Sequence, residues 1–363
     1  MRFGKKMKIK PKKFVNYVER KPHWLSNRQG FYTMERNERV DDFPISFMKK
    51  LKDEIQSFDL RTYPDTHLIY EEVAQWLKVK NDQIIIHEGA DGGLLRVFDV
   101  FISGGDRIIT CDPSFAMYPV YCQMFGAKHY PLKLQVKDYD YFGELKKKIK
   151  KIKPKLVAIA NPNQPIEVML NLKQIKNICK LAEKFGSLVI IDEAYYHFNN
   201  TTAQSLIANC PNLIVVRTFS KAFGMAGMRI GYTISNKRII GYMLSIKPIY
   251  EINAFNMKLV RILIKNIKIM KDYVKEVHKG RKLLDKFLKS QNLEMIGKYS
   301  NTVLFKLKDK KKVDKVISYL FKNKFIVRPM VIDNDNRYIR ATLGSSKIMK
   351  KFISKLKVAL NRY

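Results

Sequence analysis

Between residues 84 and 218 the chain repeats one pattern: a short apolar run, a polar residue, then a helical stretch. The runs are Ile84–His87, Asp106–Cys111 before Asp112-Pro113, Leu156–Ala160 before Asn161-Pro162, Leu188–Ile191 before Asp192, and Leu213–Arg217 before Thr218. A strand apolar along its whole length must be covered on both faces. Alternation of such strands with helices therefore predicts an α/β fold with a parallel sheet between helices. The intervening helices are read over Gly89–Phe101, entered from a loop, and over Leu172–Phe185. In sheets of this kind ligands bind beyond the carboxyl ends of the strands. Asp112, Asn161, Asp192 and Thr218 are the residues to inspect there. From about Tyr250 the pattern changes. A long helical stretch to Ser290 precedes Thr302–Leu307, a helix over Val313–Phe321, Phe325–Arg328, Tyr338–Thr342 and a last helix from Ser346. These read as a smaller α+β domain.

Charge is the unusual feature of composition: 69 Lys+Arg against 33 Asp+Glu, a formal +36. Such a surplus is open to three readings, a nucleic-acid binder, a membrane-surface protein, or an enzyme for phosphorylated or carboxylated substrates. Lysine runs such as Lys146–Lys155 and Lys308–Lys312 fall on helices and turns and read as solvated faces, and no aromatic-interleaved RNA-binding motif occurs. The expectation is therefore no nucleic acid. Nor is a membrane expected: no apolar stretch is long enough to span one, and the basic tail Met1–Lys13 lacks an apolar core. Cysteines 111, 122, 179 and 210 show neither C-x-x-C spacing nor a zinc-site pattern, which predicts no metal and a reducing, cytoplasmic setting.

The segment from Arg217 to Tyr232 carries the densest chemistry. Thr218, Ser220, Lys221 and Arg229 follow a buried strand closely. Two hydroxyls and a planar guanidinium suit a phosphate monoester. A lysine among them, near a low-dielectric site, can be a nucleophilic amine with a depressed pKa. Earlier, Asp192-Glu193-Ala194-Tyr195 closes another apolar strand. A carboxylate there can hold a ring nitrogen protonated, and a tyrosine three residues on can reach a phenolate oxygen. Taken alone, Asp192 can also be read as a helix N-cap and Tyr195 as core.

Together, the Ser-Lys-x-x-x-x-x-Gly-x-Arg and Asp-Glu-Ala-Tyr segments resemble the class I/II aminotransferases of pyridoxal-phosphate fold type I, and most of all the histidinol-phosphate aminotransferase group. The resemblance spans roughly residues 35 to 345. It implies a large domain with a mostly parallel seven-stranded sheet over 45–250, a small domain over 251–363, and an N-terminal arm, 1–44, that contributes to the small domain. It implies pyridoxal 5′-phosphate as cofactor, bonded as an imine to Lys221, which also shuttles the substrate proton. It places Asp192 on the pyridinium nitrogen, Tyr195 on the ring oxygen O3′, and Thr218, Ser220 and Arg229 on the phosphate. Gly89-Ala90-Asp91-Gly92 is similar to the family's phosphate loop, so Ala90, Asp91 and Gly92 join the cofactor set; free amides at a helix N-terminus warrant this independently. Phe115, in Asp112-Pro113-Ser114-Phe115-Ala116-Met117-Tyr118, matches the ring laid over the pyridine; otherwise it is core. Tyr63, in Tyr63-Pro64-Asp65, resembles the tyrosine that reaches the phosphate of a neighbouring subunit, which implies a homodimer with shared active sites. Arg340 and Arg328 resemble the grips for the substrate's α-carboxylate and second acid, and Asn37-Glu38 the segment folded over the substrate.

One stretch departs from the family pattern. Asn161-Pro162-Asn163-Gln164-Pro165-Ile166-Glu167 stands where the family has Asn-Pro-Asn-Asn-Pro-Thr-Gly. Gln164 replaces the asparagine that bonds O3′ and is expected to keep that bond on its longer side chain. The leading expectation is an aminotransferase moving an amino group between glutamate and a small anionic, phosphorylated keto or amino compound by a ping-pong route. The alternative is a decarboxylase of an amino-acid phosphate on the same scaffold.

Overall fold

A computed structural model describes residues 12, 14–15, 27–54, 61–136 and 139–363. Apart from Lys12, the basic tail Met1–Lys13 lies outside them.

The alternating apolar runs do form one sheet. Its strands are β1 (Ile84–His87), β2 (Arg107–Ile109), β3 (Lys128–His129), β4 (Leu156–Ala160), β5 (Leu188–Asp192), β6 (Leu213–Thr218) and β7 (Gly231–Ile234). In space they run β1-β7-β6-β5-β4-β2-β3. Neighbours from β6 to β3 are parallel, while β7 is antiparallel to both β6 and β1. Successive strand residues point to opposite faces. Ile190, Ile214, Val216 and Ala158 thus pack in one core layer with Leu94, Phe98 and Tyr118. Val189, Ile191, Val215, Val157 and Ile159 pack in the other.

The expected strand over Asp106–Cys111 is split, since Arg107–Ile109 pairs in the main sheet while Cys111–Asp112 pairs with Leu132–Lys133. The long helical stretch is two helices, Ala254–Lys265 and Lys268–Ser290; Asn266 closes the first by bonding back to Ile262 and Leu263. A second, four-stranded sheet is built from Met295–Ile296, Thr302–Lys306, Arg328–Ile332 and Asp335–Thr342. Arg328 opens a strand of that sheet rather than ending the Phe325 run, which instead pairs with Tyr32–Thr33 from the N-terminal arm. No described helix is long and apolar enough to cross a membrane.

Candidate active site

Strand parity decides which polar residues reach the carboxyl edge together. Asp192 and Thr218 share parity with the Ile190–Val216 layer, and Glu193 and Arg217 with the opposite one. Asp192 and Thr218 therefore face the site, while Glu193 and Arg217 turn inward and pair with each other, Arg217 Nε donating to Glu193 Oε2 at 2.9 Å.

Asp192 is buried. Its Oδ1 accepts the Ala194 N–H at 3.0 Å and its Oδ2 the Tyr118 hydroxyl at 3.3 Å. Burial pushes its pKa up to about 6, although both hydrogen bonds oppose the rise. A cationic partner is what such a carboxylate needs. Tyr118 was not singled out from the sequence, although it closes the segment that holds Phe115. Phe115 itself is half-exposed and meets Tyr118 edge-on, with centroids 5.7 Å apart.

Lys221 lies across from Asp192. Its Nζ donates to the Arg36 carbonyl at 3.2 Å and sits 6.0 Å from the Tyr195 ring centroid. Burial lowers its pKa to about 8; Glu38 and Asp192 resist that, while Arg340 and Arg229 add to it. Tyr195 is buried, and burial raises its pKa to about 12. Its hydroxyl accepts the Asn37 amide at 2.6 Å, which leaves the phenolic proton free to be donated elsewhere.

An anion cup sits beside these groups. The helix Gly89–Phe101 starts at this edge with Gly89 at φ +72°. A Cβ on Gly89 would lie 2.7 Å from Arg229 Nη2, and one on Gly231 would lie 2.7 Å from the Ala90 nitrogen. Both positions must therefore be glycine for the guanidinium and the helix start to close together. Arg229 adopts a left-handed φ of +49°, a conformation costing about 1–3 kcal/mol that persists where surrounding structure enforces it. Its Nη1 donates to Ser220 Oγ at 3.4 Å, and Thr218 Oγ1 donates to the same oxygen at 2.9 Å. Ala90, Asp91 and Gly92 form the first turn, and Tyr121 holds the Asp91 carboxylate.

Arg340 and Arg328 are directly paired across adjacent antiparallel strands. Arg340 Nη2 donates to the Glu35 carbonyl, while its buried Nε has no partner among the described residues. Burial lowers the Arg340 pKa, and the charge of Arg328 lowers it further. Glu38 is bonded by Arg28. Gln164 is not brought to Tyr195. Its Nε2 donates to Glu167 Oε1 at 2.8 Å and Ser300 Oγ at 2.7 Å, and its Oε1 accepts from Thr302 Oγ1 at 2.6 Å. Tyr63 lies apart on the surface, stacked on Tyr250 at 4.0 Å.

The residues present suit one group well. An amine of lowered pKa, a buried carboxylate short of a cation, a free phenolic proton and a glycine-cleared anion cup match the aldehyde, ring nitrogen, O3′ and phosphate of pyridoxal phosphate. Bound there, it supplies an aldehyde that takes up an amino group and a ring that delocalises the electron pair left at the substrate's Cα.

Comparison with known proteins agrees. The model of the family "aminotransferase class I and II" matches residues 30–356, and the chain belongs to that family. It is a pyridoxal-phosphate-dependent aminotransferase and groups with the histidinol-phosphate aminotransferases. The histidinol-phosphate aminotransferase of Thermoanaerobacter pseudethanolicus is 32% identical over 334 residues, covering 91% of this chain and 93% of that one. The crystal structure of histidinol-phosphate aminotransferase from Sinorhizobium meliloti in complex with pyridoxal-5'-phosphate superposes with a TM-score of 0.86 at 19% identity, covering 97% of each chain. L-threonine-O-3-phosphate decarboxylase from Porphyromonas gingivalis shares the fold at a TM-score of 0.73 and 20% identity, with 91% of this chain and 99% of that one covered.

Proposed function

We propose that this aminotransferase moves an amino group between glutamate and a small phosphorylated substrate of the histidinol-phosphate type. The observation that carries this reading is the Arg328–Arg340 pair. Like charges directly opposite on neighbouring strands repel, and the arrangement is relieved when anions sit against them. Arg340 keeps its buried Nε for a carboxylate, which a guanidinium binds in a fork, and the exposed Arg328 takes the second acid. Lys221, neutral above about pH 8, moves the proton at Cα; Asp192 holds the ring nitrogen; Thr218, Ser220 and Arg229, with the amides of Ala90, Asp91 and Gly92, hold the phosphate. Phe115 supplies the stacking face. In this reading residues 45–250 bind the cofactor, and 251–363 with the arm 1–44 close over the substrate.

Two copies would complete each site. Tyr63, Tyr250 and Ile249 form an exposed apolar surface, with Tyr63 76% and Ile249 77% accessible. Surfaces of that kind mark interaction sites. In this reading Tyr63 reaches a neighbour's phosphate cup, whose outer wall is an open pocket lined by Asp91, Gly92 and Arg229.

The test is to mix holoenzyme with L-glutamate and follow the cofactor's absorbance, then add the keto form of histidinol phosphate. Conversion by glutamate and recovery by the keto compound support the reading. Carbon dioxide released from phosphothreonine without any keto acceptor would replace it with decarboxylation. Substitution separates the two arginines. Arg340→Ala should raise KM for every amino donor by about 10–100-fold, the loss of one charge-assisted contact. Arg328→Ala should raise KM for the phosphorylated substrate by at least about 10-fold and leave the half-reaction with alanine, which has one acid group, unchanged.

A further inference from the structure

Two of the three places where the Asn161–Glu167 turn departs from its family, Gln164 and Glu167, are bonded to each other. Gln164 Nε2 donates to Glu167 Oε1, and both side chains then cross to the 297–302 loop at the edge of the four-stranded sheet. Glu167 Oε2 accepts the backbone N–H groups of Lys298 and Tyr299, the latter at 2.5 Å. Gln164 holds Ser300 and Thr302. Ile166, between them, is buried in the core and anchors the turn, with its carbonyl held by Asn163 at 2.9 Å. Arg281 grips the same loop from the helix Lys268–Ser290, through the carbonyls of Gly297 and Ser300.

The held loop leads to the active site. Asn301 Nδ2 donates to the Asn37 carbonyl at 3.2 Å, and the Asn37 N–H donates to Thr342 Oγ1 at 3.0 Å. Thr342 is the cross-strand partner of Thr302. Asn37 in turn donates to the Tyr195 hydroxyl. An amide nitrogen has two N–H donors. Both of those on Gln164 are engaged, so none remains for a phenolate oxygen.

We propose that Gln164 and Glu167 are coupled positioning residues: a clasp between the two sheets that fixes the 297–302 loop and, through Asn301 and Asn37, aims the Tyr195 hydroxyl. The O3′ bond expected of Gln164 is given up for this tie, and Tyr195 serves that oxygen without it. The inference concerns how the hydroxyl is held and does not depend on which acid the enzyme takes.

The experiment uses holoenzyme carrying Glu167→Ala, Gln164→Ala, or both. Two readouts are followed: amide hydrogen exchange at Lys298 and Tyr299, and the pH midpoint of the cofactor's visible absorbance. Glu167→Ala should speed exchange at both amides by about 10-fold or more, the loss of charge-assisted acceptors. Each single variant should raise the midpoint by a similar small amount, because a hydroxyl no longer polarised by Asn37 is a weaker donor. The double variant should go no further than the singles. Unchanged exchange in Glu167→Ala would overturn the clasp. So would a midpoint shift in Gln164→Ala that Glu167→Ala does not share, because that would place Gln164 on the cofactor itself. If Glu167→Ala does not fold, Gln164→Asn, which shortens the amide by one methylene, is measured in its place. It should loosen the 298–299 amides, and unchanged exchange there would overturn the clasp equally.

Discussion

Lys221→Ala should lose transamination by at least about 10⁴-fold, since in the proposed reading one substitution removes both the covalent attachment and the base that moves the proton at Cα. Borohydride treatment of holoenzyme should fix pyridoxal phosphate on the parent chain at Lys221 and nowhere on the variant. The pH dependence follows from burial. With a pKa near 8, about half of the Lys221 amine is neutral at pH 8, whereas an ordinary lysine near 10.4 would be about 0.4% neutral. The rate of cofactor attachment to apoenzyme should therefore climb through pH 8 and level off above it. A climb that continues to pH 10 would show that the site does not depress this amine. Folding stability also rises with pH, but in a higher window than catalysis. A lysine whose pKa is lower in the folded chain makes the unfolded state bind more protons between the two values. The fold therefore gains stability as pH rises from about 8 toward the ordinary lysine range. Removing the amine should leave apoenzyme melting no lower than the parent below pH 8, which separates lost chemistry from lost structure.

Much of this site could be read from local sequence because it lies where apolar strands stop. Asp192 and Thr218 were legible as the polar residues that close β5 and β6, and parallel pairing brings such ends to one edge. The anion cup was legible in parts: Gly89 through Gly92 as a helix start, Arg229 as the fixed-distance partner of Lys221. That Gly231 must also be glycine follows only from the approach of β7 to the Ala90 nitrogen, which no linear pattern records. Strand β7 was missed because its four residues follow directly on the Lys221–Arg229 segment and read as its tail. The break between the two long helices was missed because Asn266 and Ile267 contain neither glycine nor proline to announce it. The destination of Gln164 was hidden for a different reason. Its partners Ser300 and Thr302 are some 136 and 138 positions away, and an amide offers the same donors to a cofactor as to a hydroxyl. Charge was the least informative feature. Some lysines form exposed pairs such as Lys147–Glu144 and Lys289–Asp285 on helix surfaces, where each pair is worth little, and the surplus over carboxylates marks no one site.

The largest stability effect is expected not at a catalytic residue but one position beyond Asp192. Glu193 is 2% exposed and its carboxylate accepts three hydrogen bonds: from Arg217 Nε, from Thr202 Oγ1 at 2.9 Å, and from the Ala203 N–H at 2.5 Å, with Arg217 also tied to Thr202 through Nη2 as the link that closes the ring. Arg217, also 2% exposed, lies 4.2 Å over the Tyr196 ring. Replacing both ions with apolar groups could be nearly neutral, since desolvation offsets most of their attraction. Removing one is different. Glu193→Ala leaves a guanidinium buried without its counter-ion and should cost about 3–5 kcal/mol, a large share of a typical domain's stability. Because Arg217 directly precedes Thr218 and Glu193 directly follows Asp192, relaxation of the stranded guanidinium would displace both Asp192 and the Thr218 side of the cup. Denaturant titration of apoenzyme should show the midpoint falling sharply for Glu193→Ala, with the double variant Glu193→Leu/Arg217→Met recovering much of the loss. Recovery should return stability before activity, since the apolar pair no longer fixes Thr202 and the turn after Asp192. If Glu193→Ala unfolds within about 1 kcal/mol of the parent, the pair is hydrated in solution and does not hold the ends of β5 and β6 in place.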